Sequence, residues 1–147
     1  MRNAGAKIVI RRGLLAAVAG MIALCGLTST GHADSIPPLL LGAWTSYPAD
    51  CPKIFARRGG AIVFRPPVDK FAQAVIIEPT QIHAPASICR VKTVARTGDA
   101  YAISGECQDS ISYTPATLRI KIQSPGTMVY SPSPDAALDT TFAKCSL

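Results

Sequence analysis

The sequence contains few of the residue patterns that catalysis requires. Of its two histidines, only His83 lies outside the N-terminal leader described below, and Glu78 and Glu106 are its only glutamates. No serine occupies a G-x-S-x-G elbow. The glycine-rich stretch at 58–61 lacks the lysine and the following helix of a phosphate-binding loop. These absences argue against a nucleotide cofactor, and we predict that the protein is not an enzyme and binds no cofactor.

Helical patterning is also missing. After residue 33, no window keeps apolar residues at positions i, i+3, i+4 and i+7 for long enough to form an amphipathic helix. Apolar residues alternate with polar ones instead, as in Leu118, Ile120 and Ile122, and turn residues separate the short apolar runs. The pattern predicts an all-β fold. The predicted strands are 40–46, 72–78, 81–84, 89–96, 100–107, 118–123, 127–130 and 140–146, with one more at 59–65.

The N-terminus has the three parts of a secretory signal peptide. Basic residues precede a charge-free apolar run at 14–27, and Gly31-His32-Ala33 supplies the small residues that signal peptidase requires. The run is short for a membrane span, which takes about 20 apolar residues. We therefore expect residues 1–33 to be a cleaved signal peptide and residues 34–147 to form a single β-barrel domain. We expect no transmembrane segment, and a periplasmic or secreted bacterial protein.

Two variants of export remain open. Residues 22–25 resemble a lipoprotein box, which would place a lipid on Cys25, although Leu24 stands where such boxes have a small residue. Arg11 and Arg12 resemble part of a twin-arginine signal without its usual flanking residues. We favour general secretion without a lipid.

The net charge of +6 does not indicate a nucleic-acid partner. Four of the fifteen basic residues and none of the nine acidic residues lie in residues 1–33, so the remaining domain has eleven against nine and a net charge of +2. Binding to a polyanion needs a strongly basic domain or stripe. We therefore expect no nucleic-acid partner. We also expect a monomer.

Positive charge does concentrate between residues 52 and 71. This segment holds five basic residues and one acidic residue, together with three phenylalanines. One interpretation is a contact surface for an acidic partner, an anionic lipid head group or a glycan. The alternative, which we favour, is a solvated loop whose phenylalanines fold back onto the domain. The candidate contact residues are Arg57, Arg58, Phe64, Arg65, Lys70 and Phe71.

Four cysteines remain after the leader: Cys51, Cys89, Cys107 and Cys145. An even number in an oxidising compartment predicts two disulfides. A zinc site would need closely spaced pairs such as C-x2-C, whereas the gaps here are 38, 18 and 38 residues. We therefore expect no metal.

The hairpin around Gly98 favours one disulfide pairing. If residues 97–99 form a three-residue loop, Cys89 faces Cys107 and Arg90 faces Glu106, with Val91, Thr93 and Ala95 on the same face as Cys89. This register separates an apolar from a polar face, and a one-residue slip mixes them. We predict a Cys89–Cys107 disulfide and, by elimination, Cys51–Cys145, which would clip the sheet into a barrel.

The segment Leu40-Leu41-Gly42-Ala43-Trp44 resembles the opening of lipocalin-type proteins, in which G-x-W begins the first strand of an up-and-down antiparallel barrel. In that family the Trp closes one end of the barrel, and an Arg near the chain's end packs over it through a cation–π contact. Lys144 is the nearest candidate here. The resemblance implies an all-β, lipocalin-like barrel of seven or eight strands, with Gly42, Trp44 and Lys144 as its structural motif.

Two sets of small exported barrels are similar over more limited features. Uncharacterised four-cysteine bacterial proteins share the G-x-W start, a cysteine soon after it, a turn like that at 78–82, a strand like Cys89-Arg90-Val91 and a final cysteine. The periplasmic inhibitors of secreted metalloproteases are similar in their start and size. In those inhibitors a short N-terminal tail enters the protease cleft.

Three functions follow as hypotheses. The first is a non-catalytic binding module for an envelope component, a glycan or a small apolar or anionic ligand, held at the open end of the barrel or by residues 52–71. The second is protease inhibition by the stiff, proline-containing tail Asp34-Ser35-Ile36-Pro37-Pro38. The third is a hydrolase with an unrecognised site, which would require a pocket in which Glu78, His83 or Asp139 converge. We also predict a filled barrel interior, with Val91, Ile103, Leu118, Ile120 and Ile122 facing inward.

Overall fold

The computed structural model describes residues 35–132 and 138–147. The predicted signal peptide and Asp34 lie outside the described residues. The strands are β1 (Gly42–Thr45), β2 (Phe55–Arg58), β3 (Ala61–Phe64), β4 (Ala74–Ile77), β5 (Gln81–Ala84), β6 (Ser87–Thr97), β7 (Ala100–Gln108), β8 (Tyr113–Ser124), β9 (Thr127–Ser131) and β10 (Thr140–Lys144). The complete helical elements in the described part of the chain are the single turn α1 (Cys51–Ile54) and the 3₁₀ turns Pro38–Leu40 and Pro48–Asp50, and Leu138 also has 3₁₀ conformation. None of these helices is long and apolar enough to cross a membrane.

Eight strands form a closed antiparallel barrel. From β4 to β10 each strand pairs with the next along the chain, and β1 pairs with both β4 and β10. The predicted all-β, up-and-down barrel is therefore confirmed. The β1–β10 seam is short, with the register Trp44↔Lys144 and Thr45↔Ala143 and one further backbone bond from the Cys145 N–H to the Ala43 carbonyl (2.8 Å).

The barrel has two different ends. At the first, two-residue turns join β4 to β5, β6 to β7 and β8 to β9, and the chain enters β1. We call this the closed end, because Ile36 and Leu40 are buried there as a plug and the Trp44 indole Nε1–H donates to the Leu40 carbonyl (2.8 Å). At the opposite end, which we call the mouth, β1 leads into the long segment 46–73, which continues on the outside of the barrel, and the loop 109–112 joins β7 to β8. The short turn 85–86 joins β5 to β6 there, and β9 is followed by the connection 132–139, of which 133–137 lie outside the described residues.

The barrel interior is filled below the mouth. The buried cluster consists of Ile36, Leu40, Trp44, Val75, Ile77, Ile82, Val91, Tyr101, Ile103, Leu118, Ile120, Met128 and Phe142. Between Ile82, Val91 and Leu118 there is no room for a water molecule. Four of the five inward residues predicted from the sequence are buried, and the fifth, Ile122, packs against this cluster from the edge.

Strands β2 and β3 form a separate hairpin on the outside of the barrel. The strand predicted at 59–65 exists as β3, but it pairs with β2 rather than with a barrel strand. Ile62 and Phe64 of the hairpin pack against a second buried cluster that includes Ala43, Phe55 and Ile76. Strand β4 is therefore buried on both faces, which explains why its sequence is uninterrupted Ala-Val-Ile-Ile rather than alternating.

The β6–β7 hairpin corrects one sequence prediction. The pairs Cys89↔Cys107, Arg90↔Glu106 and Val91↔Gly105 are as predicted, but the ladder shifts between Val91 and Thr93. Beyond this bulge Val94 faces Ile103, and a two-residue turn replaces the predicted three-residue loop. The bulge inserts one extra residue, so Thr93 and Ala95 face outward and Val94 packs on the core.

Both predicted disulfides are present. Cys89–Cys107 joins directly opposed residues of β6 and β7, with 3.9 Å between the Cα atoms. Cys51–Cys145 joins α1 to the residue after β10. Both cysteines belong to the second buried cluster, which lies between the barrel and the β2–β3 hairpin. We expected this disulfide to clip the sheet into a barrel, but backbone pairing of β1 with β10 closes the barrel. The disulfide instead fastens α1, outside the barrel, across the β1–β10 seam.

Candidate functional site

The mouth of the barrel opens into a cavity of about 640 Å³. Its apolar floor is formed by Val75, Leu118 and Phe142, which also belong to the buried core. Its walls are made of small side chains and the Cys89–Cys107 disulfide, so the space between the strands is left unfilled. The small wall residues are Ala72, Ala74, Ala84, Ala86, Ser87 and Ala116.

Tyr130 is the large polar side chain of this cavity. Its ring stacks on Phe142 with the ring centroids 5.3 Å apart and the planes almost parallel. Burial raises the pKa of Tyr130 to about 12, because the phenolate would lose its hydration there. The phenol therefore stays neutral at physiological pH and adds no charge to the lining of the cavity.

Two charged side chains border the cavity. Lys70 lies in the loop before β4, and within the described part of the chain it forms no ion pair. Asp139 lies before β10, where its carboxylate accepts a short hydrogen bond from the Ser131 hydroxyl. The acid is thus engaged by the protein, whereas the ammonium group remains available to an anion.

The loop that carries Lys70 is anchored at its end to β1. The Thr45 hydroxyl and the Ser46 N–H both donate to the Gln73 carbonyl, at 3.0 and 3.1 Å. The Ser46 hydroxyl also donates to the Gln73 side-chain oxygen at 2.9 Å. These bonds fix the point at which the loop joins β4, and so they position the loop over the cavity.

The candidate contact residues of segment 52–71 do not form one surface. Phe64 lies inward, with its ring centroid 5.5 Å from that of Phe55, as the folded-back interpretation predicts. Phe71 does not fold back and is 93% exposed. Arg57 donates from Nε to the Leu147 carbonyl oxygen (3.1 Å), away from the mouth, and Arg58 is exposed beside the hairpin turn.

Arg65 and Lys70 lie on the mouth side, with Phe71. Arg65 lines a second groove of about 490 Å³ with Asp69 and Phe71. Lys70 borders the mouth cavity and also an adjoining depression of about 690 Å³ that reaches Ile88 and Ile111. The structure therefore divides the predicted contact surface. Arg65, Lys70 and Phe71 lie on the mouth side, whereas Arg57 and Arg58 lie away from it.

Ile111 is a mouth residue that the sequence analysis missed. It is 94% exposed, in the loop between β7 and β8. The only available signal is a lone large apolar residue in the polar stretch Asp109-Ser110-Ile111-Ser112, after an aspartate that can turn the chain. A similar order, Asp69-Lys70-Phe71, precedes β4.

Two of the three residues of the hydrolase hypothesis lie close together, but Asp139 is not with them. His83 Nε2 lies 3.3 Å from a Glu78 carboxylate oxygen on the outside of the barrel, without hydrogen-bond geometry. Asp139 lies at the mouth, while Glu78 stands in the turn at the closed end. Among the described residues, no group of three or more His, Cys, Asp or Glu side chains could hold a metal ion.

The N-terminal tail is not free from Ile36 onward. The Ile36 side chain is 2% exposed, and its N–H donates to the Pro79 carbonyl at 2.8 Å. A protease cleft could receive only the residues before Ile36 unless the plug were withdrawn from the core. Asp34, the first residue of the predicted tail, lies outside the described residues.

The G-x-W motif is built as its resemblance implies. Lys144 Nζ lies 5.3 Å from the centroid of the Trp44 ring, and it also reaches the Leu39 carbonyl (3.4 Å). Gly42 has a φ of +124°, and a Cβ there would lie 3.1 Å from Lys144 Cε. The positive φ therefore favours glycine at this position, and a Cβ would also make Lys144 shift slightly.

Comparison with known proteins finds no family model, no curated protein and no solved structure that matches this chain significantly.

Proposed function

We propose that the protein is a non-catalytic exported binding module, which holds a small ligand with an apolar body and an anionic group in the mouth of the barrel. The mouth cavity is the observation that carries this proposal. Its volume of about 640 Å³ falls within the range of about 300–1,000 Å³ that is common for ligand sites. Its lining combines an apolar floor with the cation Lys70, and the carboxylate of the lining, Asp139, is hydrogen-bonded to the Ser131 hydroxyl. An apolar ligand with an anionic group suits such a lining.

Export is part of the proposal. Two disulfides are typical of proteins that fold outside the cytoplasm, and the leader has the parts of a signal peptide. The eight-stranded barrel, with Lys144 over Trp44, supports a relationship to the lipocalin-type proteins. The protease-inhibitor alternative has less support, because Ile36 is part of the plug.

The proposal can be tested by direct binding of dodecanoate, measured by calorimetry on protein purified from the periplasm or medium of the expressing cell. A116F places a ring in the cavity wall and should abolish binding. Ala86 is exposed at the cavity edge, so A86W should obstruct entry with little effect on folding. Circular dichroism should show both variants folded.

The head-group part of the proposal has its own comparison. K70Q should weaken dodecanoate binding about three- to tenfold, because the neutral amide loses a charge-assisted contact. It should leave dodecanol unaffected, since that ligand has no charge. Arg58 is an exposed cation remote from the mouth, so R58Q is the matched control and should bind like the wild type. Wild-type protein that binds neither ligand, or equal binding by the wild type, A116F and A86W, would refute the proposal.

A further inference from the structure

The mouth is surrounded by exposed apolar side chains on separate loops. Phe71 and Ile111 are almost fully exposed, on the loops before β4 and before β8. Ile88 and Leu138 are partly exposed at the same end of the barrel, at the cavity edges. Single exposed apolar residues are common on protein surfaces, but a group of them at one end of a molecule, with polar residues around it, is typical of an interaction surface.

The same hydrogen-bonding pattern holds Phe71 and Ile111 outward. The Asp69 carboxylate accepts the Phe71 N–H at 2.9 Å, and the Asp109 carboxylate accepts the Ile111 N–H at 2.8 Å. Asp109 also accepts bonds from the Ser112 N–H and hydroxyl. Each carboxylate is therefore turned back onto its own loop, and the apolar side chain that follows is left at the tip.

The cations of the mouth are not engaged in this way. Arg65 and Lys70 flank Asp69 in the loop before β4, and within the described residues neither forms an ion pair with a carboxylate. The surface thus presents apolar tips with two cations free of ion pairs beside Phe71. Asp69 and Asp109 keep their negative charges, but hydrogen bonds hold their carboxylates to their own loops. Anionic lipid head groups offer the complementary charge, at about 1 kcal/mol for each Lys or Arg near a membrane surface.

We propose that the rim of the mouth docks on the surface of an anionic bilayer, with Phe71 and Ile111 inserted between lipids and Arg65 and Lys70 against the head groups. A bilayer suits this surface because the apolar tips stand on separate loops around an opening rather than in one flat patch. Lipids can surround each tip individually, whereas a folded partner would have to match every gap between them. Docking in this orientation faces the mouth cavity toward the acyl chains.

Vesicle flotation tests the proposal, with protein from the periplasm or medium whose N-terminus has been determined by mass spectrometry. Vesicles of phosphatidylglycerol and phosphatidylethanolamine should carry the protein upward, and added salt should reduce this binding. F71S/I111S should lower the partition coefficient at least tenfold, because two large apolar side chains no longer leave water. Leu39 is an exposed apolar residue at the closed end, so L39S should change binding less than twofold.

The charge contribution is measured separately. R65Q/K70Q should weaken binding to anionic vesicles several-fold and leave the weaker binding to phosphatidylcholine vesicles unchanged. Arg58 and Arg119 are exposed cations on other surfaces, and R58Q/R119Q should bind like the wild type. Equal effects of the two double variants would show that general charge alone is responsible, which contradicts docking through the mouth.

Membrane docking and ligand binding in the cavity can be tested separately. A116F should lose dodecanoate and keep vesicle binding, whereas F71S/I111S should keep dodecanoate and lose the vesicles. Wild-type protein that stays with the vesicle-free fraction would overturn the inference. So would sedimentation velocity showing a wild-type dimer that F71S/I111S dissociates, because the rim would then be covered by a second copy.

Discussion

Removal of the two disulfides, one at a time, should have unequal effects on stability. The variants are C51A/C145A and C89A/C107A, each of which removes one bridge and leaves no unpaired thiol among the four disulfide cysteines. In the loop-closure model the stabilisation grows with the number of residues enclosed. The sequence separations are 94 for Cys51–Cys145 and 18 for Cys89–Cys107.

These separations give about 4.7 kcal/mol for the first bridge and about 3.2 kcal/mol for the second. The structure adds to this difference. Cys51–Cys145 fastens α1 across the short β1–β10 seam, whereas Cys89 and Cys107 are already held together by the long β6–β7 ladder. The expected difference between the variants is therefore at least about 1.5 kcal/mol in the free energy of unfolding.

Urea unfolding followed by circular dichroism provides the measurement. With a slope of about 1.5 kcal/mol per molar urea, the midpoint of C51A/C145A should lie about 1 M below that of C89A/C107A. Hydrogen exchange locates the effect: the residue 145 amide, which bonds to Ala43, should exchange faster in C51A/C145A and at its normal rate in C89A/C107A. Equal midpoints, or a lower midpoint for C89A/C107A, would refute this account of the seam.

Three further predictions concern the mouth, the G-x-W motif and the plug. Because the pKa of Tyr130 is raised to about 12, its folded form holds a proton that the unfolded chain releases near pH 10, so stability should fall by about 2–3 kcal/mol between pH 10 and 12. Y130F should reduce that fall, as measured by urea midpoints across the range, and an identical fall would contradict the assignment. K144M should lower stability by about 0.5–1 kcal/mol through loss of the cation–π contact with Trp44, with K144R restoring it; equal midpoints for the three proteins would count against the contact. I36A should cost about 2–5 kcal/mol because it leaves a cavity under the plug, and a loss below about 0.5 kcal/mol would mean that the tail is free in solution.

The sequence predicts the barrel well where one face of a strand meets the core and the other meets water. Leu118 and Ile120 alternate with charged residues in β8. In the β6–β7 ladder, residues 88–91 pair with 105–108 in the one register that separates apolar from polar side chains. Alternation and cross-strand charge are local properties of the chain, so they can be recognised without coordinates. The same patterns placed the Cys89–Cys107 disulfide correctly, and Cys51–Cys145 followed by elimination.

The β6 bulge shows where this reasoning stops. Val91 and Val94 both pack on the core, although they are three residues apart and a regular strand would point them to opposite faces. That odd spacing was a usable signal for an inserted residue. A three-residue loop keeps one uniform register instead, and it wrongly places Thr93 and Ala95 on the core face, whereas Ile103 on β7 points inward as predicted.

The outer hairpin and the rim were harder to predict, since both depend on tertiary contacts. Strand β2 buries only Phe55 and ends in two exposed arginines, so it shows no alternation of apolar and polar residues by which to recognise it. Phe64 and Phe71 look alike in the sequence, but one meets Phe55 and the other is held outward by the Asp69 turn. Whether a phenylalanine is buried depends on its neighbours in the folded structure, and a single sequence does not show which residues those are.

The asymmetry between the two ends explains why binding is assigned to the mouth. At the closed end, two-residue turns and the Ile36–Leu40 plug leave no loop long enough to form a site. At the mouth, the longer loops start from strands fixed by the Cys89–Cys107 bridge and by the Gln73 bonds to β1. A ligand that enters this mouth meets walls already ordered by folding, so little of its binding energy is spent on arranging them. Residues that bind are commonly found on loops carried by a rigid scaffold, and in this chain only the mouth provides such loops among the described residues.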